Sequence, residues 1–161
     1  NNAGTNIIGS IEKYSLEDYE LIINLNLVTC FKTIQAVIPR MKSRKYGRII
    51  NISSISSIIS LPMRSAYCSS KFGLIGLTKA AAVELAEYNV LINAIGPGVT
   101  ETELTVDVLG SKKMKEIAKK VPMKRLANIK DISNVVLFMA SKYNSYIVGQ
   151  NMIVDGGFTC L

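Results

Sequence analysis

The chain has 161 residues, of which 48% are hydrophobic and 19% charged, and its formal net charge is +7. This length allows one hydrophobic core and the composition is typical of a globular α/β protein, so we expect residues 1–161 to form a single domain. The absence of histidine excludes histidine-based triads and histidine metal sites, and we predict no metal site. The basic residues are scattered without interleaved aromatic residues, which argues against binding of nucleic acid.

The cysteines and the apolar pattern indicate where the protein works. Cys30, Cys68 and Cys160 show no paired spacing, so they predict neither a disulfide framework nor a zinc site. We find no apolar run of membrane-spanning length and no N-terminal signal pattern in the sequence. These features predict a reduced, cytoplasmic protein that does not contact a membrane.

The first predicted elements are a turn and a long helix. Residues 1–4 read as a turn that ends a strand whose beginning is absent. Ser15, followed by acidic residues, has the form of a helix start, and apolar spacing then continues to about Lys42. This stretch is long enough for two helices that meet near residues 24–26.

A buried strand, a serine-rich turn and a helix form the central stretch of the chain. Residues 48–52 are mostly β-branched and apolar, which is typical of a central strand in a parallel sheet. The chain turns polar at Ser54, and the carboxyl ends of such strands are where open α/β sheets place their sites. The loop up to Pro62 is expected to form part of the wall of a substrate pocket. Helical spacing covers residues 65–88.

Tyr67 and Lys71 carry the chemistry that we predict for this stretch. They are four residues apart, so they lie on one helix face, one turn from each other. An adjacent ammonium favours the phenolate and lowers the pKa of a tyrosine, which is about 10 in the free residue. A tyrosine assisted in this way can exchange a proton near neutral pH, while the Ser54 hydroxyl bonds a carbonyl or an alcohol. The spacing alone is equally typical of a solvated helix face.

The second half of the chain is predicted to hold a lid and further core elements. Residues 100–122 are polar and then basic, with a helix over residues 112–120 capped by Ser111, and we expect this segment to close over the site. The elements around it are a buried strand over residues 90–95 broken by Gly96-Pro97-Gly98, a helix over residues 131–141, and a last strand over residues 149–154.

Several motifs follow one another along the chain. They are Asn1-Asn2-Ala3-Gly4, Asn26, Ser54 with Tyr67 and Lys71, Asn93-Ala94-Ile95-Gly96-Pro97-Gly98, and Val154-Asp155-Gly156-Gly157. In this order they resemble the short-chain dehydrogenase/reductase family over nearly the whole chain, and within it the chain is most similar to 3-oxoacyl-acyl-carrier-protein reductases and related sugar- and steroid-alcohol dehydrogenases. The resemblance implies a doubly wound α/β fold with a mainly parallel, Rossmann-like sheet. It also implies an enzyme that uses NAD or NADP to interconvert a carbonyl and a secondary alcohol.

The resemblance further implies a role for each site residue. Tyr67 would give the proton, and Lys71 would lower its pKa and bind the nicotinamide ribose. Ser54 would hold the carbonyl oxygen, and Asn26 would support a water relay. The helices that carry Asn26 and Tyr67 would pair with their copies in a homodimer or homotetramer. Contacts to the cofactor are implied for Asn1, Ala3, Gly4, Tyr67, Lys71, Pro97, Gly98, Thr100 and Thr102.

The sequence has no glycine-rich turn to hold a pyrophosphate and no residue that would separate NAD from NADP. We therefore expect the C-terminal part of the enzyme, entered at its fourth strand, which would bind the cofactor poorly by itself.

Alternative readings stay open. The absent half favours a non-catalytic fragment or scaffold of the same fold. A sugar-nucleotide epimerase or dehydratase has a similar Tyr/Lys pair, but it carries a larger C-terminal substrate region. A Ser-Lys hydrolase is disfavoured because no Gly-x-Ser-x-Gly motif occurs.

Overall fold

Three strands form a parallel sheet in the computed structural model, which describes residues 1–160 and their side chains except those of residues 104, 107 and 108. The central strand is buried along nearly its whole length because both of its edges are paired. The register places Ile49 opposite Ile92 and Ile95 opposite Met152. The parallel sheet confirms the predicted Rossmann-like α/β fold. In sheet order the strands are β1 (Gly47–Ile52), β2 (Val90–Pro97) and β3 (Asn151–Val154).

Five α-helices accompany the strands within residues 1–160. The first begins after Ser15, whose Oγ accepts a hydrogen bond of 3.0 Å from the backbone N–H of Asp18, as the helix-start pattern predicts. Short 3₁₀ turns lie between the main elements, over Ile11–Lys13, Ile55–Ser57, Ala86–Tyr88 and Phe158–Cys160. The helices are α1 (Leu16–Ile23), α2 (Thr29–Ser43), α3 (Ser65–Leu85), α4 (Glu103–Lys120) and α5 (Ile129–Ala140).

A π-helical segment, Asn24–Val28, joins α1 to α2 without a break. The buried residues along this stretch are Ile22, Asn26, Cys30 and Ile34, each four positions after the last. In a regular α-helix, a spacing of four residues drifts around the axis by roughly 40° per step. The wider π turn offsets part of that drift, so the four side chains keep facing the interior.

Side-chain alternation along β1 places helices on both faces of the sheet. Ile49 packs with Ile34 of α2 and Leu85 of α3 on one face. Ile52 points to the other face, where it borders a cavity with Ile132 of α5. The sheet is therefore covered by α2 and α3 on one side and by α5 on the other, which is the doubly wound arrangement. The core cluster on the first face consists of Ile34, Ile49, Ala81, Ala82, Leu85, Val90 and Ile92.

Three strand predictions are corrected by the structure. Residues 1–4 do not form a strand, although Asn1 is tied to β1 through its amino group on the Ile50 carbonyl and its carbonyl on the Ile52 N–H, both at 2.9 Å. Strand β2 does not break at Gly96 but continues to Pro97, because both residues pair with β3. Strand β3 begins at Asn151 rather than at residue 149.

Two helices begin earlier than the sequence predicts. Helix α4 starts at Glu103, capped by the Thr102 hydroxyl, which accepts a hydrogen bond of 3.2 Å from the Thr105 N–H. The predicted helix after Ser111 is its second half, which follows a break at Gly110 (φ 70°, ψ 159°). Helix α5 starts at Ile129 because Asn128 and Asp131 form a reciprocal capping box.

The continuous helix over Leu16–Ser43 contains an 18-residue stretch that is long and apolar enough to cross a membrane by those criteria alone. Our reading that no apolar run reaches this length is therefore wrong. Core helices of soluble proteins pass the same test, and this helix packs against β1 through Ile34 and Met41. Phe31 and Val37 remain exposed on it.

Candidate active site

The carboxyl end of β1 and the first turns of α3 bring Ser54, Tyr67 and Lys71 together. Lys71 is only 5% exposed, and its Nζ donates a hydrogen bond of 2.8 Å to the carbonyl of Ile52, the last residue of β1. The same Nζ lies 5.6 Å from the centroid of the Tyr67 ring. The lysine is thus fixed behind the tyrosine, between the helix and the strand end.

Ser54 lies where the chain leaves β1 and enters the 3₁₀ turn over Ile55–Ser57. Its backbone is extended, and its Oγ accepts a hydrogen bond of 3.1 Å from the N–H of Ser56. The backbone carbonyl of Ser54 also accepts hydrogen bonds from the N–H and the hydroxyl of Ser57. These local bonds hold the Ser54 side chain at the mouth of the strand, facing Tyr67.

Burial raises the pKa of Tyr67 above its ordinary value of 10.0, because the phenolate loses its hydration. The Ser54 hydroxyl and the positive charge of Arg64 act in the opposite direction, and their combined effect is smaller. Lys71 is not among the groups that shift this pKa, so the lowering predicted from it is not found. Burial also lowers the pKa of Lys71, since its ammonium group is desolvated.

Asn26 is fully buried within the π segment, and both the oxygen and the nitrogen of its side-chain amide form hydrogen bonds. Its Oδ1 accepts from the Thr5 N–H at 2.9 Å, and its Nδ2 donates to the Thr5 carbonyl at 3.0 Å and to the Ser70 Oγ at 3.1 Å. The amide therefore ties the N-terminal segment to α3, one residue before Lys71. Short π segments occur frequently at functional sites, where they change the direction of single side chains.

The N-terminal segment passes close to this amide. A Cβ placed on Gly4 would lie 3.2 Å from the Asn26 Oδ1, which is a tight contact, and 3.9 Å from the Lys71 Nζ, which is an ordinary van der Waals distance. The Asn1 side chain donates a hydrogen bond of 2.8 Å to the Asn51 Oδ1, while Ala3 is exposed. The glycine thus leaves room beside the buried polar groups.

Two cavities meet at Thr100 and Thr102, which border both. The first, which we call the carbonyl cavity, has a volume of about 440 Å³ and is bordered by Gly4, Ser54, Tyr67 and Gly98. The second, which we call the cofactor cavity, has a volume of about 530 Å³ and is bordered by Asn1 and Pro97. Of the predicted site residues, Asn26, Lys71 and Ala3 border neither cavity.

The loop after β1 forms part of the wall of the carbonyl cavity through Ile55, Ser56 and Leu61, which agrees with the sequence prediction. Sequence reasoning missed Arg64 on the same wall and Ser70 behind it. Arg64 precedes Tyr67 by three residues, so the helical spacing that linked Tyr67 to Lys71 also pointed to it. Nothing in the sequence indicated Ser70 as the partner of Asn26.

No group of three metal-binding side chains among His, Cys, Asp and Glu occurs in the described residues. The cysteines are free thiols, with Cys30 and Cys68 buried and Cys160 exposed.

A family model matches the chain almost from end to end. The model described as enoyl-(acyl carrier protein) reductase covers residues 1–159. A 3-oxoacyl-[acyl-carrier-protein] reductase of Rickettsia bellii (strain RML369-C) is 40% identical over 141 residues, which is 88% of this chain and 58% of that protein.

Solved structures give the same picture. ElxO with NADP bound has a TM-score of 0.94 at 32% identity, and the match covers 100% of this chain and 66% of that one. A gluconate 5-dehydrogenase from Burkholderia cenocepacia J2315, in complex with NADP and tartrate, has a TM-score of 0.94 at 30% identity over 99% of this chain and 63% of that one. The chain therefore spans between 58% and 66% of the length of these relatives.

Proposed function

The chain belongs to the short-chain dehydrogenase/reductase family, and on that premise we propose that the whole protein is an NAD(P)-dependent oxidoreductase. It interconverts a carbonyl and a secondary alcohol in a small molecule such as a 3-oxoacyl thioester, a sugar or a steroid-like compound. Residues 1–161 contribute to a single dinucleotide-binding domain. The observation that carries the proposal is the pairing of the Ser54 hydroxyl and the Tyr67 phenol on one cavity wall, with the Lys71 ammonium 5.6 Å from the phenol ring.

Ser54 and Tyr67 handle the oxygen of the substrate. The Ser54 hydroxyl donates a hydrogen bond to the carbonyl oxygen and holds it beside the phenol. Because burial raises the pKa of Tyr67, the phenol is protonated at neutral pH and is ready to donate its proton when the carbonyl is reduced. In the oxidation direction the phenolate is needed, so Tyr67 then acts as the base.

Lys71 and Asn26 support this proton transfer from behind the tyrosine. The ammonium of Lys71 lies 5.6 Å from the centroid of the Tyr67 ring, and we assign to it the binding of the nicotinamide ribose. Asn26 holds in place Thr5, which follows Gly4, and Ser70, which precedes Lys71. We assign it the support of a water relay that returns a proton to Tyr67.

The residues beside the cofactor cavity fit a nicotinamide dinucleotide. Gly4 leaves space next to Asn26 and Lys71, and the cofactor cavity opens onto the carbonyl cavity at Thr100 and Thr102. The cofactor, NAD or NADP, supplies or accepts the hydride when it is bound. Contacts with it are assigned to Asn1, Ala3, Gly4, Tyr67, Lys71, Pro97, Gly98, Thr100 and Thr102.

We also propose a cytoplasmic homodimer or homotetramer. The support comes from apolar side chains that remain exposed on α2 and α3 of this chain: Phe31 at 48%, Phe72 at 46% and Val83 at 84%. Burial of such side chains against a second copy would remove apolar surface from water. Sedimentation of the full-length protein distinguishes a monomer from these assemblies.

The proposed reaction is tested by following the absorbance of NADPH and of NADH while the full-length protein reduces a panel of ketones. We expect turnover with one of the two cofactors, and a loss of roughly 10²–10³-fold in kcat/KM for Ser54→Ala. Ser69→Ala provides the matched control, because Ser69 is exposed on α3 and borders neither cavity.

Three outcomes would contradict the proposal. These are an absence of turnover with any carbonyl and either cofactor, an equal effect of the two serine substitutions, and a Ser54→Ala enzyme as active as the wild type. An absence of turnover combined with tight binding of a protein partner would favour the scaffold reading.

A further inference from the structure

The carbonyl cavity contains one charged side chain among its described lining residues, and that side chain is Arg64. The rest of the wall is uncharged, with polar groups near Ser54 and Tyr67 and an apolar section that includes Ile8, Leu61 and Val99. A single cation in a cavity of about 440 Å³ with apolar walls is a strong local determinant of what can bind there.

Arg64 lies at the start of helix α3, close to the reacting groups. It is the N-cap residue of α3, three positions before Tyr67, and both residues border the carbonyl cavity. Its charge is close enough to lower the pKa of Tyr67. A ligand that hydrogen-bonds Tyr67 therefore lies in the same cavity as Arg64.

The guanidinium is available for a ligand. In the described part of the chain, the one ion pair is between Arg125 and Asp131, and no hydrogen bond from the Arg64 side chain occurs there. Arg64 also borders a neighbouring cavity together with Glu12, but the two side chains form no ion pair. A half-buried arginine with a planar set of donors and no protein acceptor is suited to a carboxylate, which it can bind with two parallel hydrogen bonds.

We propose that Arg64 is a specificity-determining residue that binds the carboxylate of an oxo acid or hydroxy acid substrate. The carboxylate lies on Arg64, the carbonyl lies one to three carbon atoms away between Ser54 and Tyr67, and the aliphatic remainder lies against the apolar wall. This inference rests on the proposed oxidoreductase function and narrows its substrates to free acids. A thioester of the same acid carries no charge at this position and gains nothing from Arg64.

The test compares 3-oxobutyrate with its uncharged N-acetylcysteamine thioester, two substrates that share the reacting ketone. Both are measured with the full-length protein and its preferred cofactor, at a pH where the rate is constant. Arg64→Gln is expected to lower kcat/KM for the free acid by roughly 10–100-fold and to change that for the thioester less than threefold. Arg64→Lys keeps the charge without the planar donors, so its kcat/KM for the free acid is expected to lie between those of the wild type and Arg64→Gln. Arg40→Gln removes the same charge from an exposed position on α2 and should alter neither substrate.

A binding experiment separates this inference from the proposed reaction. Tyr67→Phe, which lacks the proton donor, is heated with 3-oxobutyrate in the presence of NADPH or NADH. A rise in Tm that disappears in the Tyr67→Phe/Arg64→Gln double variant supports the carboxylate site even if no turnover is ever found. An equal loss of kcat/KM for acid and thioester, or an acid-induced rise in Tm that persists without Arg64, would overturn the inference and leave the oxidoreductase proposal standing.

Discussion

Helices α3 and α4 both reach the carbonyl cavity, but they are held in the protein in different ways. Of the 21 residues of α3, nine are buried, and they include the polar Ser70, Lys71 and Thr78. In α4, the described side chains include one buried residue, Met114, and the helix is interrupted at Gly110. α3 contributes Tyr67 to the cavity, whereas α4 contributes Thr105 and Leu109.

The difference separates two tasks. Proton transfer needs groups held to within a fraction of an ångström, and the buried contacts of α3 supply that precision. Selection among substrates tolerates, and often uses, a segment that adjusts around the ligand. We therefore expect changes in α3 and its supports to alter the reaction or the fold, and changes in α4 to alter which substrates bind.

The largest expected effect concerns the reactive group on α3. Tyr67→Phe removes the phenolic proton but keeps the ring, so turnover should fall by about 10²–10⁴-fold while the fold is retained. The rate of cofactor oxidation measures turnover, and far-UV circular dichroism measures whether the fold is retained. Tyr146→Phe is the matched control, because Tyr146 is 95% exposed. Activity of Tyr67→Phe within threefold of the wild type would show that α3 does not carry the chemistry.

The next effect concerns the brace between α3 and the π segment. Asn26→Ala leaves the backbone groups of Thr5 and the Ser70 hydroxyl without their partner, and we expect a loss of about 2–4 kcal/mol in the free energy of unfolding. Urea unfolding measures it. Asn24→Ala, at an exposed position of the same segment, should change stability by less than ~0.5 kcal/mol. Equal effects at the two positions would mean that burial of Asn26 does not stabilise the fold.

A substitution in α4 should behave differently from one in α3. At φ 70° and ψ 159°, Gly110 has a backbone conformation that costs a residue with a Cβ about 1–3 kcal/mol, although the space around it is open. Because α4 is weakly anchored, we expect Gly110→Ala to rearrange its first half, change KM several-fold and leave global unfolding nearly unchanged.

Hydrogen exchange over residues 103–110 and urea unfolding distinguish the local response from a global one. Lys112→Ala, at an exposed helical position just beyond the break, is the control. A loss of the full 1–3 kcal/mol in global stability for Gly110→Ala would show that α4 is anchored as firmly as α3.

The smallest expected effect is a shift in pH dependence. In the proposed reaction, alcohol oxidation needs the Tyr67 phenolate, so its rate should rise with pH through the pKa of Tyr67, which burial raises and Arg64 lowers. Removal of the positive charge in Arg64→Gln should therefore move this rise in rate, the alkaline limb of the pH–rate profile, to higher pH. Rate profiles for an uncharged alcohol test the direction, with Arg40→Gln as the control. An unchanged limb, or one that moves to lower pH, would mean that Arg64 does not act on the phenol.

The sequence predicts the parts of the fold whose signals are local. β-Branched residues at 48–52 and helical spacing from Ser65 are enough to locate β1 and α3, and the four-residue spacing places Tyr67 beside Lys71. The beginning of α4 was missed because its first half lacks a continuous apolar stripe, and Thr102 alone marks it. Cap chemistry at Asn128 sets the start of α5, and the Asn-x-x-Asp pattern that signals this cap is local in the sequence.

The electrostatics of the site could not be predicted in the same way. The pKa of Tyr67 depends on how much water reaches it, and burial outweighs the nearby charges. Likewise, the partners of Asn26 come from segments 21 and 44 residues away, and no local pattern identifies such contacts. Arg64 is the exception, because its three-residue offset from Tyr67 was readable.

The π turn between α1 and α2 sets a limit on how this gene segment can change in length. A single π turn holds one residue more than an α turn, so the deletion of one residue from Asn24–Val28 would restore a regular α-helix and leave the phase of α2 nearly unchanged. Successive residues of an α-helix are separated by roughly 100° around its axis, so a one-residue deletion within α1 would turn Cys30 and Ile34 away from the direction in which Ile22 points. Among length changes in Leu16–Ser43, the loss of one residue from the π turn should accordingly disturb the core least, although it would move Asn26.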